Sequence, residues 1–252
     1  MKIAVVSDIH SNHIALEAVL KDINNRGIDK IFFLGDYIFG GYGSKETIDL
    51  LMSCQKENQE NLIISGNIDE LIIPIEKNAD WIYEINKKIY RELGTERVSF
   101  LKSLPPNIII EEEGMLLRLC HNPSDIEVFT MVDSLQREKN IPNVRGLVEI
   151  SKSMESDVCI FGHYHLFMDE EVNGKRFICP SSTGMPFNGD PRAQYIILDI
   201  FEGNITTSRQ YVEYDRLKIV EGFEKEGYFE KDRNWSMNMV TTILTAHNYI
   251  DT

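Results

Sequence analysis

The side chains best suited to chemistry in this sequence are carboxylates, imidazoles and one amide that each follow an apolar segment. They are Asp8, His10, Asp36, Asn67, His121, His163 and His165. The chain has six histidines, and four of them belong to this set. The set holds too many ligands for one four-coordinate ion, but it suits two divalent ions that share a carboxylate. The pattern therefore predicts a metal-dependent hydrolytic site.

Asp8 and His10 follow the first of these apolar segments. Residues 2–6 read Lys-Ile-Ala-Val-Val, which predicts a strand buried on both faces. On extended backbone, residues two apart point to the same side, so we expect the carboxylate and the imidazole to converge. Because Asp-x-His arises often by chance, the pair gains weight only from the other candidates.

The other candidate ligands also follow predicted strands. These strands cover residues 30–34, 61–65, 115–120 and 157–161. Predicted helices over residues 12–26 and 44–55 separate the first three strands of the chain. Such alternation indicates parallel strands, whose carboxyl ends share one edge of a sheet. We therefore expect the ligands to meet at that edge.

The remaining sequence predicts further helices and antiparallel strands. Helices are expected over residues 79–93, 95–104 and 144–154, and hairpins around Glu113-Gly114, around Asn173-Gly174 and between residues 194–200 and 205–212. We interpret residues 1–252 as a single domain with a helical insertion at about 76–104 and a helical tail at about 213–252. The insertion could cap the site or pack on a sheet edge. The apolar residues of the tail, such as Met239, could pack on the domain or on a second subunit of a homo-oligomer.

Composition and charge limit the function classes. The formal net charge is −14, whereas proteins that bind nucleic acid without sequence preference carry an excess of Lys and Arg. A small phosphorylated substrate held by metal ions remains compatible with this charge. The four cysteines form no Cys-x-x-Cys motif, and there is neither a cleavable signal segment nor an apolar stretch of the ~18 residues that span a bilayer. We therefore predict a cytoplasmic protein with no membrane or nucleic-acid partner.

Several of these motifs together resemble a known family. They are Asp8-Ile-His10, Gly35-Asp36, Gly66-Asn67-Ile-Asp69, His121 and Gly162-His163-Tyr-His165. They occur in the order found in the calcineurin-like metallophosphoesterase family, and residues 180–192 resemble a later loop of its small bacterial members. The resemblance implies an α/β fold, a four-layer αββα sandwich with mixed central sheets.

The resemblance also implies which residues hold each of two metal ions. By position, the first ion would be bound by Asp8, His10, Asp36 and His165. The second would be bound by Asp36, Asn67, His121 and His163, so that Asp36 bridges the ions. Manganese is the favoured metal, with iron, nickel, zinc and magnesium as alternatives. The implied reaction is hydrolysis of a phosphoester by a hydroxide that bridges the metals, aided by a hydrogen bond from Asn67 to the substrate.

One position departs from the family pattern. Many members have a histidine after the asparagine of the third motif, where it helps to protonate the leaving group, but this chain has Ile68. Asp69 is present without the imidazole that it would orient, and we retain it as a candidate catalytic residue. Loss of general-acid help typically costs about 10²–10⁴-fold in rate. We therefore predict a preference for phosphodiesters or anhydrides with good leaving groups over alkyl phosphomonoesters.

Other polar residues near the motifs have two readings each. His13 could protonate a leaving group, or it could be a surface residue in the first turn of a helix. Arg192 could bind the substrate phosphate, or it could form a salt bridge that braces a loop. Asn12 is a further candidate for substrate binding. Tyr37 and Phe39 could line a substrate pocket or only pack in the core.

The leading functional hypothesis is a metal-dependent phosphodiesterase that acts on small phosphorylated molecules. One alternative is a non-catalytic scaffold on the same fold, against which the complete ligand set counts. A second alternative keeps the metals but makes the protein a weakly catalytic nucleotide sensor, for which Ile68 would be the sign. Metal-stimulated hydrolysis of an activated phosphodiester would distinguish the enzyme from both.

Overall fold

The computed structural model of the chain describes residues 1–71, 80–130 and 140–250. The strands are β1 (Lys2–Val6), β2 (Lys30–Phe33), β3 (Leu62–Ile63), β4 (Asn107–Glu112), β5 (Met115–Cys120), β6 (Phe129–Thr130), β7 (Ile141–Pro142), β8 (Val158–Phe161), β9 (Phe167–Val172), β10 (Lys175–Pro180), β11 (Ala193–Phe201) and β12 (Asn204–Val212). The helices are α1 (His13–Asn25), α2 (Ser44–Glu57), α3 (Asn67–Leu71), α4 (Asp80–Ser103), α5 (Val144–Ser151), α6 (Leu217–Lys225), α7 (Tyr228–Lys231) and α8 (Arg233–Thr245).

The strands that precede the candidate ligands are divided between two five-stranded mixed sheets. The first sheet has the order β12-β11-β1-β2-β3, in which β1, β2 and β3 are parallel. The second has the order β4-β5-β8-β10-β9, in which β5, β8 and β10 are parallel. The prediction that one sheet edge carries all the ligands is therefore wrong. It holds for β1 to β3, but His121, His163 and His165 follow strands of the second sheet.

A continuous apolar core joins the two sheets. Ile3 and Val5 of β1 belong to the same buried cluster as Leu119 of β5 and Ile160 of β8. Alternate side chains of β1, such as Val6, belong instead to the cluster that contains the buried face of α1. The first strand is apolar from Ile3 to Val6 because it lies between a second sheet and a helical layer.

Helices cover the outer faces of the sheets. α1 contacts β11 and β12 of the first sheet and also α2, while α5 contacts β9 of the second sheet. The order is thus helix, sheet, sheet, helix, which is the predicted αββα sandwich. Within the described ranges, no helix combines the length and the apolarity that crossing a bilayer requires.

The predicted insertion and the predicted tail both contain helices. α4 includes Gly94 at φ 65° and ψ 178°, which divides it where the boundary between two helices was expected. It packs on α2, where Arg97 Nε lies 2.6 Å from Asp49 Oδ1. Residues 76–79 of the predicted insertion lie outside the described residues. The tail contains α6 to α8, and Met239 of α8 is buried within its own chain.

Candidate metal centre

Five of the seven candidate ligands lie on loops with left-handed backbone conformations. Asp8 and His10 follow the end of β1 and have φ values of 53° and 50°. Asp36, His163 and His165 have φ values of 54°, 75° and 59°. The expectation that Asp8 and His10 converge on extended backbone is therefore wrong, because the loop itself turns. Such conformations at non-glycine residues cost about 1–3 kcal/mol each and cluster at functional sites.

Hydrogen bonds join these loops to one another. The Asp8 amide donates to Gly35 O over 3.1 Å, and the His10 amide donates to Asp36 O over 3.0 Å. The His163 amide donates to Asp8 Oδ2 over 3.1 Å, which ties a loop of the second sheet to a loop of the first. The protein's own hydrogen bonds therefore set the relative positions of the ligands.

Two glycines allow the loops to approach this closely. A Cβ atom on Gly66 would collide with the Asp36 backbone nitrogen and Oδ1. A Cβ atom on Gly162 would collide with Ser7 Oγ and crowd Asp8 Oδ2. Any side chain at either position would thus displace a candidate ligand, which explains the glycines that precede the third and fifth motifs.

Asp8, His10 and His165 form the first ligand group. Nε2 of His165 lies 3.3 Å from Asp8 Oδ1 and 3.1 Å from His10 Nε2. The ligand atoms of the three residues all lie within 4.8 Å of one another, and the three residues are buried. Two imidazoles and a carboxylate that converge in this way form a donor set for a divalent cation.

Asp36, His121 and His163 form the second ligand group. Nε2 of His121 lies 3.1 Å from Asp36 Oδ2, and the ligand atoms of the group again lie within 4.8 Å of one another. The amide of Asn67 joins this group, since its Oδ1 lies 3.0 Å from His163 Nδ1. The structure thus brings all the predicted metal ligands together.

The two carboxylates lie between the groups. Asp36 Oδ2 is 3.1 Å from His121 Nε2 and 3.9 Å from His10 Nε2, so it reaches a histidine of each group. Asp8 Oδ1 is 3.3 Å from His165 Nε2 and 3.9 Å from His121 Nε2. The groups are therefore adjacent and share their anionic ligands.

Backbone carbonyls hold the imidazoles in position. Nδ1 of His10 donates to Phe39 O over 3.0 Å, Nδ1 of His121 donates to Leu34 O over 2.6 Å, and Nδ1 of His165 donates to Met185 O over 2.5 Å. In each of the three histidines, the hydrogen bond from Nδ1 leaves Nε2 available as the ligand atom. Metal-binding histidines generally have this arrangement. Nε2 of His121 is buried, and carboxylate oxygens of Asp36 and Asp8 lie 3.1 and 3.9 Å from it, so its environment fits a metal ion.

The electrostatics of the site favour a bound cation. Burial would raise the pKa values of Asp8 and Asp36, but His165 acts on Asp8 and His121 on Asp36 to lower both. Burial and then His165 lower the pKa of His10 to about 4, so its imidazole is neutral at neutral pH. Burial acts to lower the pKa of His121, but the charges of Asp36 and Asp8 raise it to about 10. The centre therefore attracts positive charge.

Comparison with known proteins identifies the family. Residues 1–203 match the calcineurin-like phosphoesterase superfamily domain. This chain belongs to that superfamily. The family is one of metal-dependent phosphoesterases, and the two ligand groups described above lie within the matched residues.

Relatives and solved structures cover nearly the whole chain. An uncharacterised protein of Methanocaldococcus jannaschii is 33% identical over 241 residues, which covers 88% of this chain and 92% of the relative. A hypothetical protein of Pyrococcus horikoshii has a similar structure, with a TM-score of 0.80, 19% identity and coverage of 98% and 99% of the two chains. A metallophosphoesterase of Sphaerobacter thermophilus aligns with a TM-score of 0.72, 23% identity and coverage of 98% and 100%. These two structures establish the fold.

Asp69 stabilises the loops of the candidate metal centre, but its side chain does not line the cavity there. It is fully buried, and its oxygens accept hydrogen bonds from the amides of Asp36, Tyr37 and Gly66, each over 2.9 Å. The predicted catalytic role is therefore corrected to a positioning role, because Asp69 has no surface that a substrate could reach. It joins the loop after β2 to the loop after β3.

His13 lies away from the ligand groups. It lines a separate cavity with Tyr42, Glu46 and Glu221, and no candidate metal ligand lines the described part of that cavity. Its ring packs edge-on against Tyr42 with centroids 5.2 Å apart. A role in protonating the leaving group therefore has no support from its position.

Asn12 is engaged in structural contacts. Its Oδ1 accepts the Ala15 amide as the N-cap of α1, and its Nδ2 donates to Gly184 O over 2.8 Å and to Tyr214 Oη over 3.1 Å. Because the side chain is fully buried, it cannot reach a substrate. The substrate-binding assignment is replaced by a capping role.

Arg192 forms a salt bridge with Asp190, as in the alternative in which it braces a loop. Its Nε donates to Asp190 Oδ1 over 2.9 Å, and its guanidinium stacks on the Tyr211 ring at 4.6 Å. It is not among the described residues that line the cavity at the metal centre. Contact with a substrate phosphate therefore has no support from the structure.

A cavity of about 180 Å³ opens over the ligand groups. Phe39 lines it, whereas Tyr37 is buried and bonded through its hydroxyl to Ile64 O. Sequence reasoning missed other lining residues, which are Met185, Phe187, Met239, Asn248 and Ile250. Apolar residues in a loop and a helical tail give the same local pattern whether they pack in the core or line a site.

Proposed function

We propose that this chain is a phosphodiesterase that uses two divalent metal ions, with manganese favoured, to hydrolyse small phosphorylated substrates. The observation that carries the proposal is the pair of adjacent ligand groups with the Asp36 carboxylate in reach of both. One ion would be held by Asp8, His10, Asp36 and His165, and the other by Asp36, Asn67, His121 and His163. When bound, the ions would supply a water of lowered pKa and offset the charge of the phosphoryl oxygens.

The protein's own residues would orient the ligands and the substrate. His10, His121 and His165 are held through Nδ1 by backbone carbonyls, so that they present a fixed nitrogen to the site. Asn67 is exposed, and its amide nitrogen can donate a hydrogen bond to a phosphoryl oxygen. Apart from the candidate ligands, no titratable side chain lines the described part of the cavity. Substrates with good leaving groups, which need no proton donor, are therefore favoured.

Metal dependence tests this proposal directly. The metal-free protein should be inactive on bis-(p-nitrophenyl) phosphate, and Mn²⁺ should restore turnover with about two ions bound per chain. Asp36→Asn should lower metal-stimulated turnover by about 10²-fold or more, since it weakens the ligand that reaches both groups. Turnover would be followed by p-nitrophenolate release and metal content by mass spectrometry.

Asp49→Asn is the matched control, because this aspartate lies on α2 and pairs with Arg97. It should retain both turnover and metal content. Binding of Mn²⁺ without any turnover would favour a nucleotide sensor, and no binding at all would favour a scaffold on the same fold. Either outcome would contradict the proposed enzyme.

A further inference from the structure

We infer that the C-terminal segment formed by α8 and the residues up to Ile250 selects a phosphodiester whose retained ester group is apolar and about the size of a benzyl group. This inference rests on the proposed phosphodiesterase function and adds the chemical class of the ester group. It begins from the observation that the segment forms one wall of the cavity over the metal centre.

The wall consists of side chains that lie outside the metal-binding motifs. Met239 on α8 and Asn248 and Ile250 in the turn after it line the cavity. Phe39 and Phe187 line it as well, and the candidate ligands form its floor. The same space is therefore bordered by ligands for a phosphoryl group and by apolar surface for what is attached to it.

Specific contacts hold this wall against the loops of the metal centre. Phe39, whose carbonyl accepts the hydrogen bond from His10, packs against Trp235 of α8 with ring centroids 5.5 Å apart. The Gly189 amide donates to Ala246 O over 3.0 Å. Ala246 has a φ of 56°, which ends α8 and turns the chain so that the following residues line the cavity. The wall is thus built into the same packed structure as the ligand loops.

The wall also lies beyond the part of the chain that matches the superfamily domain. That match ends at residue 203, whereas Met239, Asn248 and Ile250 follow it. The matched domain therefore supplies the candidate metal ligands and part of the apolar lining, such as Phe39 and Phe187, and the segment after it supplies the rest. Such a division allows the substrate to be chosen without a change in the reacting groups.

The polarity of the side chains that line the cavity indicates which ester group the cavity accepts. Apart from the candidate ligands, the described lining is apolar except for Asn248, whose Oδ1 accepts the Ile250 amide over 3.1 Å. Among the described residues, no Lys or Arg lines the cavity, so charge beyond one phosphoryl group would have no side-chain partner.

The size of the cavity also limits which ester group can bind. Its volume of about 180 Å³ is below the roughly 300–1,000 Å³ of pockets for drug-sized ligands. A diester with one apolar group of about benzyl size fits these conditions better than a polyphosphate or a polymer.

Two substrates with the same leaving group test the inference. They are methyl p-nitrophenyl phosphate and benzyl p-nitrophenyl phosphate, assayed with the Mn²⁺-loaded protein. We expect kcat/KM to be at least about ten-fold higher for the benzyl ester, because even one methylene in an apolar pocket is worth about 10–200-fold. Equal values for the two esters would overturn the inference.

Two methionines of α8 provide matched variants. Met239 lines the cavity, whereas Met237 is 47% exposed on the same helix. Met239→Ala should reduce the benzyl preference by about five-fold or more, Met239→Leu should largely restore it, and Met237→Ala should keep it. Thermal unfolding would identify any variant that is not folded. If folded Met239→Ala kept the native preference for the benzyl ester, the proposed role of the C-terminal segment would be contradicted.

Binding separates this inference from the proposed function. Benzyl methyl phosphate and dimethyl phosphate have poor leaving groups, so their affinities can be measured by calorimetry in the presence of Mn²⁺. Tighter binding of the benzyl diester by about ten-fold, with no hydrolysis of any diester, would contradict the enzyme but support the wall. Hydrolysis with equal binding of both diesters would support the enzyme and overturn the wall.

Discussion

Ile68 is the residue at which this chain departs most clearly from the expected motif. Its amide donates to Asp36 Oδ1 over 2.9 Å, while its side chain lines the cavity over the metal centre. The backbone therefore supports the site as the motif requires, but the side chain presents hydrocarbon where the family resemblance leads us to expect an imidazole. This combination keeps the Asp36 side chain in place and provides no proton donor at position 68.

We predict that Ile68→His broadens the range of leaving groups. The native protein should hydrolyse an aryl phosphodiester far faster than a sugar monophosphate, and the variant should narrow that gap by about 10-fold or more, because a general acid contributes about 10²–10⁴-fold. The ratio of kcat/KM for the two substrates is the measurement. Ile68→Leu is the control and should leave the ratio unchanged. Comparable native rates on both substrates would contradict the argument.

At the scale of elements, the site depends on how two loops are joined. The loops after β2 and β3 approach closely at Gly66, and Asp69 accepts amide hydrogen bonds from both. Asp69 belongs to α3, so this short helix acts as the attachment point for the loop that carries Asp36. A fully buried carboxylate that accepts three amides leaves little freedom for that loop.

We predict that Asp69→Asn loosens this attachment. The amide group of asparagine would replace one acceptor oxygen by a donor that faces backbone N–H groups, so Asp36 should shift. Mn²⁺ affinity and turnover should each fall by about 10–100-fold, the range found for groups that orient metal ligands. Glu70→Gln, at the neighbouring position, keeps an acceptor for Ser65 Oγ and should behave as the native protein. Native Mn²⁺ affinity in Asp69→Asn, measured by calorimetry, would show that the attachment is not required.

At the scale of the whole molecule, the metal centre joins two sheets. Asp8 and Asp36 follow strands of the first sheet, and His121 and His165 follow strands of the second. The ligands therefore come from chain segments that separate on unfolding. A cation bound by all of them binds the folded state and has no equivalent site in the unfolded chain.

We predict that Mn²⁺ raises the thermal unfolding midpoint. At about 100 times its Kd, the ion should stabilise the fold by about 2.7 kcal/mol, which corresponds to about 5–10 °C for a chain of this size. Lowering the pH from 8 to 5 should shrink this shift, since protons compete with the ion for imidazoles. Unfolding scans with Mn²⁺ or with a chelator at both pH values provide the measurement. An equal shift at pH 8 in Asp36→Asn would show that Mn²⁺ acts elsewhere.

Much of the fold followed from local patterns. The strand before Asp8, the helix over residues 12–26 and the Asn173-Gly174 hairpin were predicted because apolar periodicity and turn chemistry are properties of neighbouring residues. The backbone of the Asp8 loop was not predicted, because left-handed conformations at non-glycine residues depend on hydrogen bonds to distant loops such as that of Asp36.

The sequence by itself determined the identity of the candidate metal ligands, since their chemical types and their places after apolar segments are properties of neighbouring residues. Only the tertiary structure decided how close those ligands lie to one another and what surrounds them. It placed His13 in another cavity, and it brought Met239 and Ile250 from the tail to the cavity over the metal centre. The physical reason is that contacts between segments more than a hundred residues apart depend on how sheets and helices stack, and local periodicity carries no record of that stacking.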